Sequence, residues 1–130
     1  MKLLLDTQVA IWALVAPRLL SASGREIIDD EDNEIVVSAV SVWEIAIKFA
    51  LGKRSGAPPF SGAEALGHFR AAGYRMLSIS PEHTARVDSL PQLHADPFDR
   101  LLLAQALHEP LRLVTADAML ASYSENVIRV

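Results

Sequence analysis

The stretch Asp96-Pro97-Phe98-Asp99-Arg100-Leu101-Leu102-Leu103-Ala104-Gln105-Ala106 decides how this chain is read. Asp96 is a good helix N-cap, Pro97 suits the first helical position, and Asp99 falls in the first turn. The apolar run Leu101 to Ala104, continued by Ala106 and Leu107, commits the body of that helix to a core. Two carboxylates are therefore mounted at the positive end of an anchored helix, behind His94, which is expected to order the preceding loop.

Working outward, short apolar runs alternate with longer segments of helical spacing. Lys2-Leu3-Leu4-Leu5 reads as a buried strand that gives way at Asp6-Thr7 to a helix containing Val9, Ile11, Trp12, Leu14 and Val15 and stopped by Pro17. Ser21 opens a second helix that runs out in the acidic turn Asp29 to Glu34. Glu34 to Ser38 is a β-branched strand, and Ala39 to Leu51 is a helix ended by Gly52. Lys53 to Gly62 is a loop, followed by a helix to about Ala72. A strand at Arg75 to Ile79, a helix from Ser80 towards Leu90, a strand at Leu111 to Val114, a short helix from Thr115-Ala116-Asp117, and a last strand at Asn126 to Val130 complete the chain. This alternation predicts one α/β domain spanning residues 1–130. Its architecture is a three-layer α/β/α sandwich around a parallel sheet of about five strands. Right-handed crossovers then collect the strand C-termini on one edge, where ligand sites of open α/β sheets lie.

The bulk composition narrows the function classes. The chain has 130 residues, 51% hydrophobic, with a mean hydropathy of +0.23. No apolar run reaches the ~18 residues of a membrane span, and Asp6 interrupts the N-terminus too early for a signal peptide. There is no cysteine, hence no disulfide framework and no thiolate metal site. A cytoplasmic protein is expected. The net charge of −4 argues against a broad basic face for nucleic acid, but five of the 16 acids lie between Asp29 and Glu34. Setting those aside leaves 12 basic residues against 11 acidic ones, so nucleic acid is neither implied nor excluded.

Four acids are expected on the sheet edge: Asp6 after the first strand, Glu44 two turns into the helix after the second, Asp99 on the anchored helix, and Asp117 after Val114. Each has an ordinary structural explanation. Asp6, Asp96 and Asp117 suit helix caps; Asp99 suits a first-turn partner of the helix dipole; Ser41-Val42-Trp43-Glu44 matches a capping box; Glu44 and Lys48 form an i,i+4 pair. Taken together, however, like charges at one place oppose folding unless a cation neutralises them, and carboxylate ligands without Cys or paired His favour Mg²⁺ or Mn²⁺ over zinc. Such a site suits phosphodiester hydrolysis. Lys48, Arg100, Lys53 and Arg54 are candidate phosphate contacts, although each alone also reads as part of a solvated helix face. No Walker loop, H-E-x-x-H or G-x-S-x-G motif supports a competing chemistry. Trp12 and Trp43 fit helix core positions better than nucleobase platforms.

These segments resemble, in order, the motifs of PIN-domain proteins: Leu3-Leu4-Leu5-Asp6-Thr7, Val37-Ser38-Ala39-Val40-Ser41-Val42-Trp43-Glu44, Asp96-Pro97-Phe98-Asp99-Arg100, and Leu113-Val114-Thr115-Ala116-Asp117. The likeness is greatest to the VapC-type toxins of bacterial toxin–antitoxin pairs. The resemblance implies a Mg²⁺- or Mn²⁺-dependent ribonuclease whose acidic constellation is Asp6, Glu44, Asp99 and Asp117. Asp6 and Asp99 would be direct metal ligands, Glu44 and Asp117 direct or through water. Thr115 would line the site beside the substrate with Lys48 and Arg100. It also implies an RNA substrate, a small cognate antitoxin and a homodimer. One departure is visible: relatives often carry His where this chain has Gln8, which hydrogen-bonds but does not titrate near neutral pH. Two other readings stay open: a catalytically silent scaffold of the same fold, and another Mg²⁺-dependent phosphoester hydrolase.

Overall fold

Leu3, Leu4 and Leu5 are all fully buried, and alternation along their strand sends Leu4 to one face of a sheet and Leu3 and Leu5 to the other. A strand buried on both faces needs covering layers on both sides, and the computed structural model has them. It describes residues 1–52, 56–92 and 96–130. The expectations for Lys53, Arg54 and His94 fall outside those residues.

Five strands make one parallel sheet: β1 (Lys2–Leu5), β2 (Glu34–Ser38), β3 (Arg75–Leu77), β4 (Arg112–Thr115) and β5 (Val127–Arg129), in the order β3-β2-β1-β4-β5. The register sets Leu5 against Val37 on one side and Val114 on the other. β1 is thus the central strand, and the order of connection reverses beside it, which opens a crevice at its carboxyl end.

The helices are α1 (Thr7–Val15), α2 (Ala22–Asp29), α3 (Ala39–Ala50), α4 (Gly62–Ala71), α5 (Pro81–Ala85), α6 (Pro97–His108) and α7 (Ala118–Ala121). Against Leu3, Leu5, Val37 and Val114 pack Val9 and Ala10 of α1, Ile27 and Ile28 of α2, and Ala65 and Phe69 of α4. Against Leu4, Val36 and Leu113 pack Leu102, Leu103 and Ala106 of α6 and Leu120 of α7. Each buried leucine or phenylalanine in these layers contributes ~1.5–3 kcal/mol. Gly62 permits a close approach of α3 and α4, since a Cβ there would lie 2.8 Å from that of Ala46.

Two expectations are corrected. The helix expected to run from Ser80 towards Leu90 is one short α-helix followed by a 3₁₀ turn at Arg86–Ser89. The capping box at Ser41 does not exist: Ser38 is the N-cap of α3, accepting from the Val40 N–H at 3.0 Å, and Ser41 is an interior, fully buried residue. Helix α6 also carries an unexpected polar residue in its core. Gln105 is fully buried; its Oε1 accepts from the Ser38 hydroxyl at 2.5 Å, and its amide nitrogen lies 3.3 Å from the Ser78 carbonyl and from His83 Nδ1.

Candidate functional site

The carboxyl ends of β1, β2 and β4 open into a cavity of about 420 Å³. Asp6, Glu44, Asp99 and Asp117 all line it, joined by Asp96. Among the described lining residues Lys48 is the cation, and Gln8, Ile11 and Pro58 form part of the wall.

The acids reach this place as helix caps or as residues of capped helices, so the ordinary and the chemical readings coincide. Asp6 is the N-cap of α1, its Oδ1 accepting from the Val9 N–H at 2.8 Å. Asp96 caps α6 through the N–H groups of Phe98 and Asp99, and Asp117 caps α7 through those of Met119 and Leu120. Each cap fixes one carboxylate oxygen against backbone donors and orients the side chain. Asp99 lies in the first turn of α6 and Glu44 in the second turn of α3.

Hydroxyl groups fix two of the carboxylates further. Thr115 donates its hydroxyl proton to Asp6 Oδ2, while its own oxygen accepts from the Asp117 N–H at 3.0 Å. Thr7 Oγ1 lies 2.6 Å from Glu44 Oε1 and 3.0 Å from Ser41 Oγ. On the other side of Glu44, Lys48 Nζ meets Oε2 at 2.5 Å. Burial is the main reason why the Asp6 carboxyl is raised from 3.8 to about 6. The bonds from Thr115 and Val9 oppose that shift, and the like charges of Glu44 and Asp117 add to it. Lys48 is pushed up from its ordinary value, chiefly by its bond to Glu44, and Asp96 and Asp99 act on it in the same direction.

Two residues expected to face a substrate do not. Arg100 is 8% exposed, and its guanidinium donates to the carbonyls of Pro91 (2.9 Å) and Val87 (3.1 Å), so it ties the segment before α6 to that helix. Thr115 is fully buried, with its hydroxyl bonded to the Asp6 carboxylate. Asp96, read from sequence as a cap alone, both caps α6 and lines the cavity.

A second group of potential ligands, His83, His108 and Glu109, has donor atoms within 4.8 Å of one another near the opposite end of α6. Its hydrogen bonds argue against a metal. His83 Nδ1 accepts from the Ser80 N–H at 3.0 Å, so the ring proton sits on Nε2 and is donated to Glu109 Oε2 at 2.7 Å. A cation on Nε2 would have to expel that proton, whereas metal-ligating imidazoles normally donate through the other nitrogen.

A model of the PIN domain matches residues 3–126. Ribonuclease VapC22 of Mycobacterium tuberculosis is 34% identical over 129 residues, covering 92% of this chain and 90% of that protein. Ribonuclease VapC16 of the same organism is 41% identical over 61 residues, 47% of this chain and 43% of that protein. Among solved structures, VapBC2 from Rickettsia felis, bound to a DNA fragment from its promoter, gives a TM-score of 0.69 over 100% of this chain and 98% of that one. A toxin–antitoxin complex from Klebsiella pneumoniae gives 0.65 over 96% and 94%. Both structures are 16% identical in sequence and show a shared fold.

Proposed function

Since the chain belongs to the PIN-domain family, we propose that it is a divalent-metal-dependent endoribonuclease, a single-domain toxin held in check by a cognate antitoxin. The observation that carries this reading is electrostatic. Among the described residues five carboxylates and one ammonium group line the cavity, and the negative field of these groups repels a phosphodiester unless a cation is held there. Oxygen donors without thiolates suit Mg²⁺, with Mn²⁺ as a substitute.

Asp6 and Asp99 are the direct ligands in this reading, with Glu44 and Asp117 direct or through water. Asp6 suits the role because its buried carboxylate is costly to ionise alone, so a neighbouring cation relieves that cost. A bound Mg²⁺ or Mn²⁺ supplies Lewis acidity towards a phosphoryl oxygen and makes water nucleophilic at neutral pH. Thr115 holds Asp6 in one orientation, Asp117 fixes Thr115 through its backbone N–H, and Lys48 offers positive charge to an RNA phosphate at the rim. Gln8, also on the wall, orients by hydrogen bonding and transfers no proton.

The antitoxin and a second copy of the chain are the proposed protein partners. Trp43, Ile47 and Leu51 form an exposed apolar stripe at i, i+4 and i+8 along α3 and its C-cap, with Trp43 50% exposed, and Val15 and Leu19 are exposed at the end of α1 and beyond it. Such a surface is suited to an apolar helix face. No helix among the described residues is long and apolar enough to cross a membrane, and we assign the protein to the cytoplasm. Incubating the purified chain with a mixed RNA pool tests the reading. Cleavage in Mg²⁺ or Mn²⁺ that stops in EDTA is expected; cleavage indifferent to EDTA, or none in either metal, would overturn it.

A further inference from the structure

Both carboxylate oxygens of Glu44 are occupied by side chains of this protein. On one side, Thr7 Oγ1 lies 2.6 Å from Oε1. A hydroxyl carries one proton, and the shorter contact to a charged oxygen takes it, so the Ser41 hydroxyl in turn donates to Thr7 across 3.0 Å. On the other side Lys48 Nζ meets Oε2 at 2.5 Å. The carboxylate is 5% exposed as a residue, while the Lys48 side chain is 49% exposed. Glu44 is therefore fixed from the buried side and neutralised from the solvent side, on a helix whose cap is independent of either contact.

We propose that Thr7 and Lys48 are positioning residues that hold Glu44 outside the direct ligand shell of the cation, so that Lys48 sets how strongly the cavity holds a metal. This rests on the metal reading above and sharpens it, because Glu44 then shapes the site through its partners and water instead of binding the ion directly. Lys48 competes with the divalent ion for one carboxylate. Its removal frees a ligand as well as deleting a positive charge.

The test is Mn²⁺ titration, followed by loss of the free-ion EPR signal, of the wild-type chain, Lys48→Met, Glu44→Gln and the double variant. Thermal unfolding of each checks that the fold is retained. Lys48→Met is expected to bind Mn²⁺ about tenfold more tightly, within the range of couplings between contacting residues. Glu44→Gln is expected to bind Mn²⁺ about tenfold more weakly, the lower end of what losing an outer partner of a metal site costs, and the gain from Lys48→Met to shrink to about twofold in the Glu44→Gln background. A loss of affinity beyond about 100-fold in Glu44→Gln would make Glu44 a direct ligand and overturn the proposal. So would an unchanged affinity in Lys48→Met, or a gain that persists in full in the double variant. Wild-type binding with any of these results leaves the nuclease reading standing, whereas no Mn²⁺ binding by any of the four chains removes both.

Discussion

Thr115, at the end of β4, donates its hydroxyl to the carboxylate of Asp6, 109 residues earlier at the end of β1. The bond crosses between the central strand and its neighbour, on the edge where the sheet's connections reverse direction. Because the Asp117 N–H occupies the Thr115 oxygen as acceptor, the hydroxyl proton is committed to Asp6. One short relay thus links two of the four acids.

Removing that hydroxyl tests the relay. Thr115→Val preserves shape but leaves the Asp117 N–H and Asp6 Oδ2 each short of a partner, and we expect RNA cleavage to fall by ~10–100-fold, the scale seen when the outer partners of metal ligands are lost. Thr115→Ser restores the hydroxyl and should restore most of the rate. Equal losses in both variants, measured by cleavage of one RNA substrate, would show that the methyl group and not the hydroxyl matters.

Asp6 makes stability depend on pH. In the unfolded chain its carboxyl titrates near 3.8, in the folded chain near 6, so the folded state holds this proton more tightly. The stability contributed by the proton is complete below pH about 3.8 and is lost as pH rises through about 6, a difference of ~3 kcal/mol. Asp6→Asn has no proton to lose. In EDTA its melting temperature, relative to wild type, should climb between pH 4 and 7 and then level off. A difference that is flat with pH would contradict the burial argument.

Gln105 gives a stability prediction away from the cavity. Gln105→Leu keeps the apolar volume but leaves the buried Ser38 hydroxyl without its acceptor and the Ser78 carbonyl without a donor. Urea unfolding should show a loss of ~1–3 kcal/mol. A neutral substitution would mean that the network is dispensable.

The contrast between these residues shows what the sequence could reveal. Asp6, Glu44 and Asp117 were legible because each follows an apolar strand, and strand polarity in a parallel sheet delivers them to one edge. The strand order is constrained in the same way, by burial of Leu3, Leu4 and Leu5 on both faces. Side-chain direction is not coded by spacing. Arg100 follows Asp99 directly, yet at about 100° around a helix it turns towards backbone carbonyls instead of the cavity. Thr115 adjoins the site and is fully buried. Gln105 is hidden within an apolar run, and Ser38 caps α3 where Ser41 matched the motif, because several serines near a helix start satisfy the same pattern. The double duty of Asp96 was equally invisible, since a cap and a cavity wall make the same demand on sequence.

Asp99 and Arg100 provide the most direct test of the account, because these neighbours on α6 are assigned opposite jobs. Cleavage of an RNA pool in Mg²⁺ and the melting temperature should be measured side by side for Asp99→Asn and Arg100→Met. Asp99→Asn is expected to abolish detectable cleavage while melting like wild type. Arg100→Met is expected to lose ~1–3 kcal/mol of stability, from the orphaned carbonyls of Pro91 and Val87, while cleaving at a near-normal rate below its melting temperature. Cleavage that survives in Asp99→Asn would contradict the assignment of the acidic cavity as the catalytic centre.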